Sequence, residues 1–299
     1  MPLVDVDIVS EPVRREWLAR LLEEGNILLL RETSFSIPEA DRDFLLAQRQ
    51  SRGPFHKNIA YRPASDRVTG FSGPGADGER LRRILRDYSR SALDALARIF
   101  PTYARSWQVD YASFRPIEEE RRPLPLKARN DLIHVDAFPT RPSNGARILR
   151  FFTNIHRKRP REWISGGTFD RLAERYAVSS GLLSDAARRG APGFTARALR
   201  AVGLRRSVPS PYDLFMLRFH DFLKQSSEVQ ASPVERFSFP PGSSWIVLTD
   251  MVSHAVLAGQ YALEQTVIVG REALTAPEKA PVAILERLAG IPLAPAVRT

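Results

Sequence analysis

The segment Leu132-Ile133-His134-Val135-Asp136-Ala137-Phe138 is strand-like and bounded by turn residues. In an extended chain, side chains two positions apart point to the same face, so the His134 imidazole and the Asp136 carboxylate converge. Upstream, Gln108 to Phe114 has the same extended character, and downstream so does Ile148 to Ile155. A second cluster of strands follows late in the chain: Glu235 to Phe239, Trp245 to Thr249, His254 to Leu257 and Tyr261 to Val269. Pro240, Pro241 and Gly242 supply the turn between the first two of these. Between the clusters, Thr168 to Lys224 reads as a helical block with breaks at Gly181, Gly190, Pro192, Gly193 and Pro209.

Ahead of the strands, Leu81, Ile84, Leu85, Tyr88, Ala92, Ala95, Leu96 and Ile99 recur at helical spacing and predict a helix over Glu79 to Phe100. Arg82, Arg86 and Arg90 form a basic stripe along it. Val13 to Glu24 predicts an earlier helix closed by Gly25, and Gly53 to Gly78 reads as mostly loop. Strands, a helical block and strands again predict an all-β core with helical additions (α+β): an antiparallel sandwich or jelly roll interrupted by an insertion. No repeat or low-complexity linker divides the chain. One domain spanning 1–299 is expected, with a helical and loop region over 1–106, the core over 107–270 (insertion about 168–224) and a tail over 271–299.

Composition narrows the chemistry. Among 299 residues there is no cysteine, which removes disulfides, zinc ribbons, thiol nucleophiles and iron–sulfur ligation together. The formal charge is +10, and 39 of the 44 basic residues are arginine, the side chain suited to bidentate contacts with carboxylates and phosphates. No apolar run is long enough to span a bilayer, and the start of the chain lacks the basic n-region of a signal peptide. These features predict a soluble, cytoplasmic protein. An arginine-rich nucleic-acid-binding protein using the Arg82/Arg86/Arg90 stripe is the rival of another class, but it leaves the His-x-Asp pattern without a role.

Two imidazoles and one carboxylate make the facial set that holds non-haem Fe(II) while leaving positions open. His254 follows Asp136 by 118 residues and lies in the second strand cluster, which a jelly roll brings to the same barrel mouth. His134, Asp136 and His254 are therefore the predicted metal ligands and catalytic centre, with hydrogen-bonded core histidines as the alternative. His220 reads as packed or capped on a helix face, His156 opens a basic turn, and His56 sits in the long loop. An iron site of this kind uses 2-oxoglutarate, whose far carboxylate needs a fixed cation. About ten residues after the distal histidine stands Glu264, which has the wrong sign. Arg150 is the predicted cation instead, with Asn154 as a polar neighbour on its face and Arg147 or Arg271 as fallbacks. Arg115 and Arg161, at strand ends, are candidates for an anionic substrate, and Trp163 for the wall beneath a sugar ring.

His134-Val135-Asp136-Ala137-Phe138, the stretch Arg147 to Ile155 ending in FFTNI, Arg161-x-Trp163 and the late run SSWIVLTDMVSHAVLAGQYALEQTVIV (243–269) resemble the bacterial Kdo hydroxylases. Lys57-Asn58-Ile59 is similar to that family too, and the likeness runs from about residue 55 to 270. The resemblance implies a double-stranded β-helix with Fe(II), 2-oxoglutarate and O₂ as reactants. Its implied substrate is the Kdo sugar (3-deoxy-D-manno-oct-2-ulosonic acid) on a lipid A precursor, hydroxylated at carbon 3 to give the Ko of the lipopolysaccharide inner core. Lys57 and Asn58 join Arg115, Arg161 and Trp163 as substrate-site candidates. A lipid substrate of this kind also predicts peripheral attachment to the anionic inner face of the inner membrane. A dioxygenase of the same fold acting on another small acid or acyl group is the alternative within the class.

Overall fold

The computed structural model describes residues 3–6, 12–31, 36–49, 58–118, 124–189 and 209–296. In chain order the elements are β1 (Leu3–Asp5), α1 (Pro12–Glu23), β2 (Ile27–Leu30), α2 (Glu39–Ala47), β3 (Ile59–Arg62), β4 (Arg67–Thr69), α3 (Gly75–Ile99) and α4 (Pro101–Ala104). There follow β5 (Gln108–Arg115), β6 (Arg147–Asn154), β7 (Arg161–Ser165), α5 (Phe169–Tyr176) and α6 (Leu182–Arg189). The rest are α7 (Pro211–Gln225), α8 (Ser227–Gln230), β8 (Glu235–Phe239), β9 (Ser244–Leu248), β10 (Ala255–Ala258), β11 (Ala262–Val269) and α9 (Pro281–Ala289).

Among the described residues the strands form two sheets. The larger has the order β1-β2-β9-β6-β11-β5-β3-β4, and the smaller β10-β7-β8. Apart from the parallel β1–β2 pair, every pairing is antiparallel.

Strand alternation gives the larger sheet two unlike faces. Leu149 and Phe151 of β6, with Leu28, Leu30, Ile246, Leu248 and Leu263, pack outward against the helices. The predicted apolar stripe of α3, Leu81 through Ile99, is buried there in full. Each such aliphatic side chain contributes about 1.5–3 kcal/mol on removal from water, which is what holds a 25-residue helix on the sheet. The other face carries Arg150, Phe152 and Asn154 of β6 toward the smaller sheet. There Phe152, Trp163, Phe237, Phe239, Trp245 and Val247 form a second, aromatic core. The functional side chains gather on this inner face.

Several expectations meet corrections. Leu132 to Phe138 is not a strand: within it only His134 pairs, through a single bridge to His254. The segment crosses between the two sheets, so neighbouring residues find different partners rather than one continuous ladder. Gly53 to Gly78 is less of a loop than its composition suggests, because β3 and β4 form an edge hairpin there. The hairpin turns through Pro63–Ser65 and left-handed Asp66; at its open end Gly70 (φ +84°) follows β4, where a Cβ would lie 2.3 Å from the Asn58 carbonyl oxygen. β7 begins directly after the basic, proline-containing stretch that masked it, and α9 lies in the expected tail, capped by left-handed Gly290. Among the described residues the helical block divides into α5, α6 and α7. A capping box between Ser210 and Asp213 opens α7 after Pro209, and the breaks at Gly190, Pro192 and Gly193 lie outside the described residues.

Candidate metal centre

The backbones of His134 and His254 bond reciprocally, His134 N to His254 O at 3.1 Å and His254 N to His134 O at 2.8 Å. Asp136 N donates to Thr249 O at 2.8 Å, one strand-width away. Ile133 is clamped by Gln230, whose Oε1 accepts from Ile133 N at 3.0 Å and whose Nε2 donates to Ile133 O at 3.1 Å. A segment without regular secondary structure is therefore held at three successive points.

Each ring is oriented by its own chain. His134 Nδ1 donates to Leu132 O at 2.7 Å and His254 Nδ1 to Val252 O at 2.9 Å, the direction a carbonyl acceptor requires. With Nδ1 carrying the proton, each Nε2 keeps its lone pair for a ligand. His134 Nε2 lies 3.8 Å from Asp136 Oδ1, and donor atoms of His134, Asp136 and His254 all fall within 4.8 Å of one another.

Electrostatics sets the right protonation states. Burial holds His134 well below the ordinary imidazole value, and the nearby His254 and Lys224 push the same way. Burial also lowers His254, with Asp136 pulling in the opposite direction. Burial would raise Asp136, yet the Arg150 guanidinium holds it well below the usual carboxylate range. Two neutral imidazoles and one ionised carboxylate are the donor set a divalent metal needs.

Arg150 Nη2 lies 2.8 Å from Asp136 Oδ2, and its Nη1 pairs with Glu264 Oε1. Arg115 grips the other Glu264 oxygen through Nε at 2.8 Å and Nη2 at 2.5 Å. Glu264, which has the wrong sign for a cosubstrate cation, is thus the counter-ion of two arginines. Trp163, 2% exposed, stacks on the His254 ring at 5.0 Å between centroids. Arg161, 1% exposed, donates Nη1 to the Gly259 carbonyl. Trp163 therefore lies in the interior behind a metal ligand, and Arg161 is equally deep. Trp163 Nε1 and Arg150 Nε are buried donors with no hydrogen-bond acceptor among the described residues.

Other candidates fall away from the centre. Asn154 shares the inner face with Arg150, but its Nδ2 donates to the Arg159 and Phe239 carbonyls at 3.0 Å each and its Oδ1 accepts from His156 N. Its amide is consumed by the fold. Arg147 is fully buried and bonds Asp250 at 2.8 Å, its odd strand position turning it to the opposite face. Arg271 donates to the Pro295 carbonyl near the chain end. Asn58 is half-buried just ahead of β3, and Lys57 and His56 lie outside the described residues. His220, read from sequence as helix packing, meets His134 edge-on at 4.9 Å and bonds Val135 O through Nδ1 at 2.8 Å. Its pairing at i,i+4 with buried Lys224 on an apolar helix was the available signal.

A family model described as 3-deoxy-D-manno-oct-2-ulosonic acid (Kdo) hydroxylase matches residues 5–292. The chain belongs to the Kdo hydroxylase family. Among solved structures, it is similar to the Kdo hydroxylase KdoO, a non-haem Fe(II) alphaketoglutarate-dependent dioxygenase, in complex with alphaketoglutarate and Fe(III). That match has 31% identity and a TM-score of 0.81 over 100% of both chains. The apo form of KdoO matches at 32% identity and a TM-score of 0.83, again over 100% of both chains. The cobalt(II) complex matches at 32% and 0.83, over 100% of this chain and 99% of that one. A search of curated proteins returned no match.

Two predictions follow from this geometry. Cobalt(II) titration should show its visible ligand-field band in the native protein and lose it in His134→Ala, Asp136→Ala and His254→Ala. Gln230→Ala, which loosens the clamp on Ile133 and the bond to the Leu223 carbonyl while leaving the ligands in place, should weaken cobalt affinity by about tenfold; unchanged affinity would remove Gln230 from the support of the site. The second concerns pH. His134, His254 and His220 all titrate below the ordinary value of 6.5 in the folded chain. The unfolded chain therefore binds more protons as pH falls through about 6.5, and metal-free stability declines by up to about 1.4 kcal/mol per pH unit per histidine. The metal-free Tm should be level above pH 7 and fall between about pH 6.5 and 5; a level Tm across that range would show that the histidines protonate freely in the fold.

Proposed function

We propose that this member of the Kdo hydroxylase family uses Fe(II), 2-oxoglutarate and O₂ to hydroxylate the Kdo sugar of a lipid A precursor at carbon 3, giving Ko. In balance, the C–H bond, O₂ and 2-oxoglutarate become the alcohol, succinate and CO₂. The observation that carries this reading is the convergence of two neutral imidazoles and an ionised carboxylate beside a buried arginine pair. The two unequal sheets are taken as the double-stranded β-helix of such enzymes, and the chain as one domain, since the larger sheet draws strands from Leu3 through Val269.

His134, Asp136 and His254 would hold the iron, whose contribution when bound is to activate O₂ against the substrate C–H bond. The rest is the work of the protein's own side chains. Arg150 is the principal anchor for 2-oxoglutarate. The depth of Arg115, on the inner face of the larger sheet, and of Arg161 and Trp163, on β7 of the smaller sheet, moves them from the sugar to the cosubstrate. Trp163 Nε1 and Arg150 Nε are donors that the oxygens of a dicarboxylate satisfy. Asn154, whose amide is spent on loop backbone, takes no part. The aromatic packing of Phe152, Trp163 and Trp245 excludes water from the inner face and strengthens each charge–charge contact.

A lipid substrate also implies peripheral attachment at the cytoplasmic face of the inner membrane, driven by the +10 charge. The Arg82/Arg86/Arg90 stripe is a poorer contact than its spacing suggests. Arg82 is paired with Asp66 and Glu79, and Arg86 lies 3.5 Å from Asp66. The attraction is then distributed over the surface.

Mass spectrometry of Kdo-lipid A incubated with protein, Fe(II), 2-oxoglutarate and ¹⁸O₂ should show one added oxygen carrying the label. Stimulation of 2-oxoglutarate turnover by another acid, with Kdo-lipid A unchanged, would favour the rival dioxygenase reading. Arg150→Ala should weaken 2-oxoglutarate binding by roughly 100-fold, the cost of a buried carboxylate left without its partner, and Arg150→Lys should restore part. An unchanged affinity would give the anchor to Arg115 or Arg161. Binding to anionic vesicles should weaken steeply as salt rises, whereas salt-insensitive binding would point to an apolar contact.

A further inference from the structure

A run of alternating guanidinium groups and aromatic rings leads from the buried centre to solvent along the inner face. The Arg150 guanidinium carbon lies 5.8 Å from the Phe138 ring centroid, and Arg141 lies 4.4 Å from the same ring. Arg141 is also 4.3 Å from the Tyr111 ring, over which Arg62 sits at 5.0 Å. Phe138 stands two residues beyond Asp136 on the same segment, so the run starts at the metal site. Exposure rises along it, from 11% for the Arg150 side chain to 36% for Arg141, with Arg62 in solvent.

Strand register places Tyr111 and Arg115 on one face of β5, two pleats apart, and pairs Ala60 of β3 with Ser113 between them. Arg62 therefore extends the face of Glu264 and Arg150 to the edge of the sheet. At that edge Arg62 stands directly opposite Arg67. Like charges in that position are destabilising, and neither arginine forms an ion pair among the described residues. An approaching anion relieves that repulsion.

Stacking also leaves these arginines usable. A guanidinium lying over a ring keeps its in-plane N–H donors available, whereas a bidentate ion pair consumes them. Arg141 spends Nη1 on Asp110 and is fixed by the two rings. Among the described residues, Arg62 is held by the Tyr111 ring. Their donor edges suit a carboxylate, which guanidinium reads bidentately.

We infer that Arg62 and Arg141, spaced by Tyr111 and Phe138, form the subsite that receives the anionic sugar acid and delivers it to the metal centre. This rests on the proposed function, because it takes the substrate to be a sugar acid. It also separates two anion sites on one face: the buried arginines for the cosubstrate and the exposed ladder for the substrate.

The test is equilibrium binding of Kdo-lipid A, without oxygen, to the Fe(II)- and 2-oxoglutarate-loaded protein, with 2-oxoglutarate affinity measured in parallel. Arg62→Ala and Arg141→Ala should each weaken lipid binding by about tenfold, the loss expected for a charge-assisted contact, and leave 2-oxoglutarate affinity unchanged. Arg141→Lys, which keeps the pair with Asp110, should lie between. Tyr111→Leu should weaken lipid binding and Tyr111→Phe should not, because the ring rather than the hydroxyl holds the arginines. Unchanged lipid affinity in both arginine variants overturns the subsite, as does an equal loss of 2-oxoglutarate affinity, which would mean that the inner face as a whole had shifted. Ladder-dependent lipid binding without hydroxylation by the native protein would instead overturn the proposed function and leave the subsite standing.

Discussion

The reciprocal backbone hydrogen bonds between His134 and His254 carry the centre. They join two residues 120 positions apart in the chain, one on a segment crossing between sheets and one immediately before β10. Because the bonds run both ways, the two backbones are in register, and the rings they bear lie 4.7 Å apart between centroids. The carbonyls that orient the rings, Leu132 and Val252, are each two residues back along the same chain. Loss of the bridge would therefore release ring orientation, ligand spacing and Asp136 together.

Around that bridge the fold buries an alternating row of charges: Arg115, Glu264, Arg150 and Asp136. Isolated, each would cost several kcal/mol to desolvate. Arranged in a row, each carboxylate meets a guanidinium, and the net charge of the four is zero. This keeps Asp136 ionised in a place where burial favours its protonated form. It also accounts for Glu264 standing where the wider class of dioxygenases carries a cation: with arginines on β5 and β6, the intervening strand β11 must supply the negative charge between them.

The fold separates the structural polar groups from the functional ones by strand parity. On β6, Arg147 faces the helices, where it bonds Asp250, while Arg150 faces the smaller sheet and the metal ligands. Glu23 is likewise spent on structure, accepting from Tyr103 and from the Thr275 and Ala276 backbone near the chain end. One pleat of slip would exchange the two sets, so the aromatic core of Phe152, Trp163 and Trp245 also protects the register.

The metal triad, the strand clusters and the long amphipathic helix were legible in the sequence, because each depends on local spacing: two residues in an extended chain, or 3.6 in a helix. The absence of cysteine and the arginine bias likewise limit the chemistry independently of the fold. What tertiary structure alone decided was depth and partnership. Trp163 and Arg161 read as residues of a sugar site, yet β7 carries them into the interior. Asn154 shares the correct face but spends its amide on loop carbonyls. His220 comes beside His134 only because α7 packs across the segment that holds it. The ladder from Arg150 to Arg62 draws on β3, β5, β6 and the segment after Asp136. Spacing along a chain determines which way a side chain points, but burial and pairing are set by segments distant in sequence, and these meet only when the sheets close.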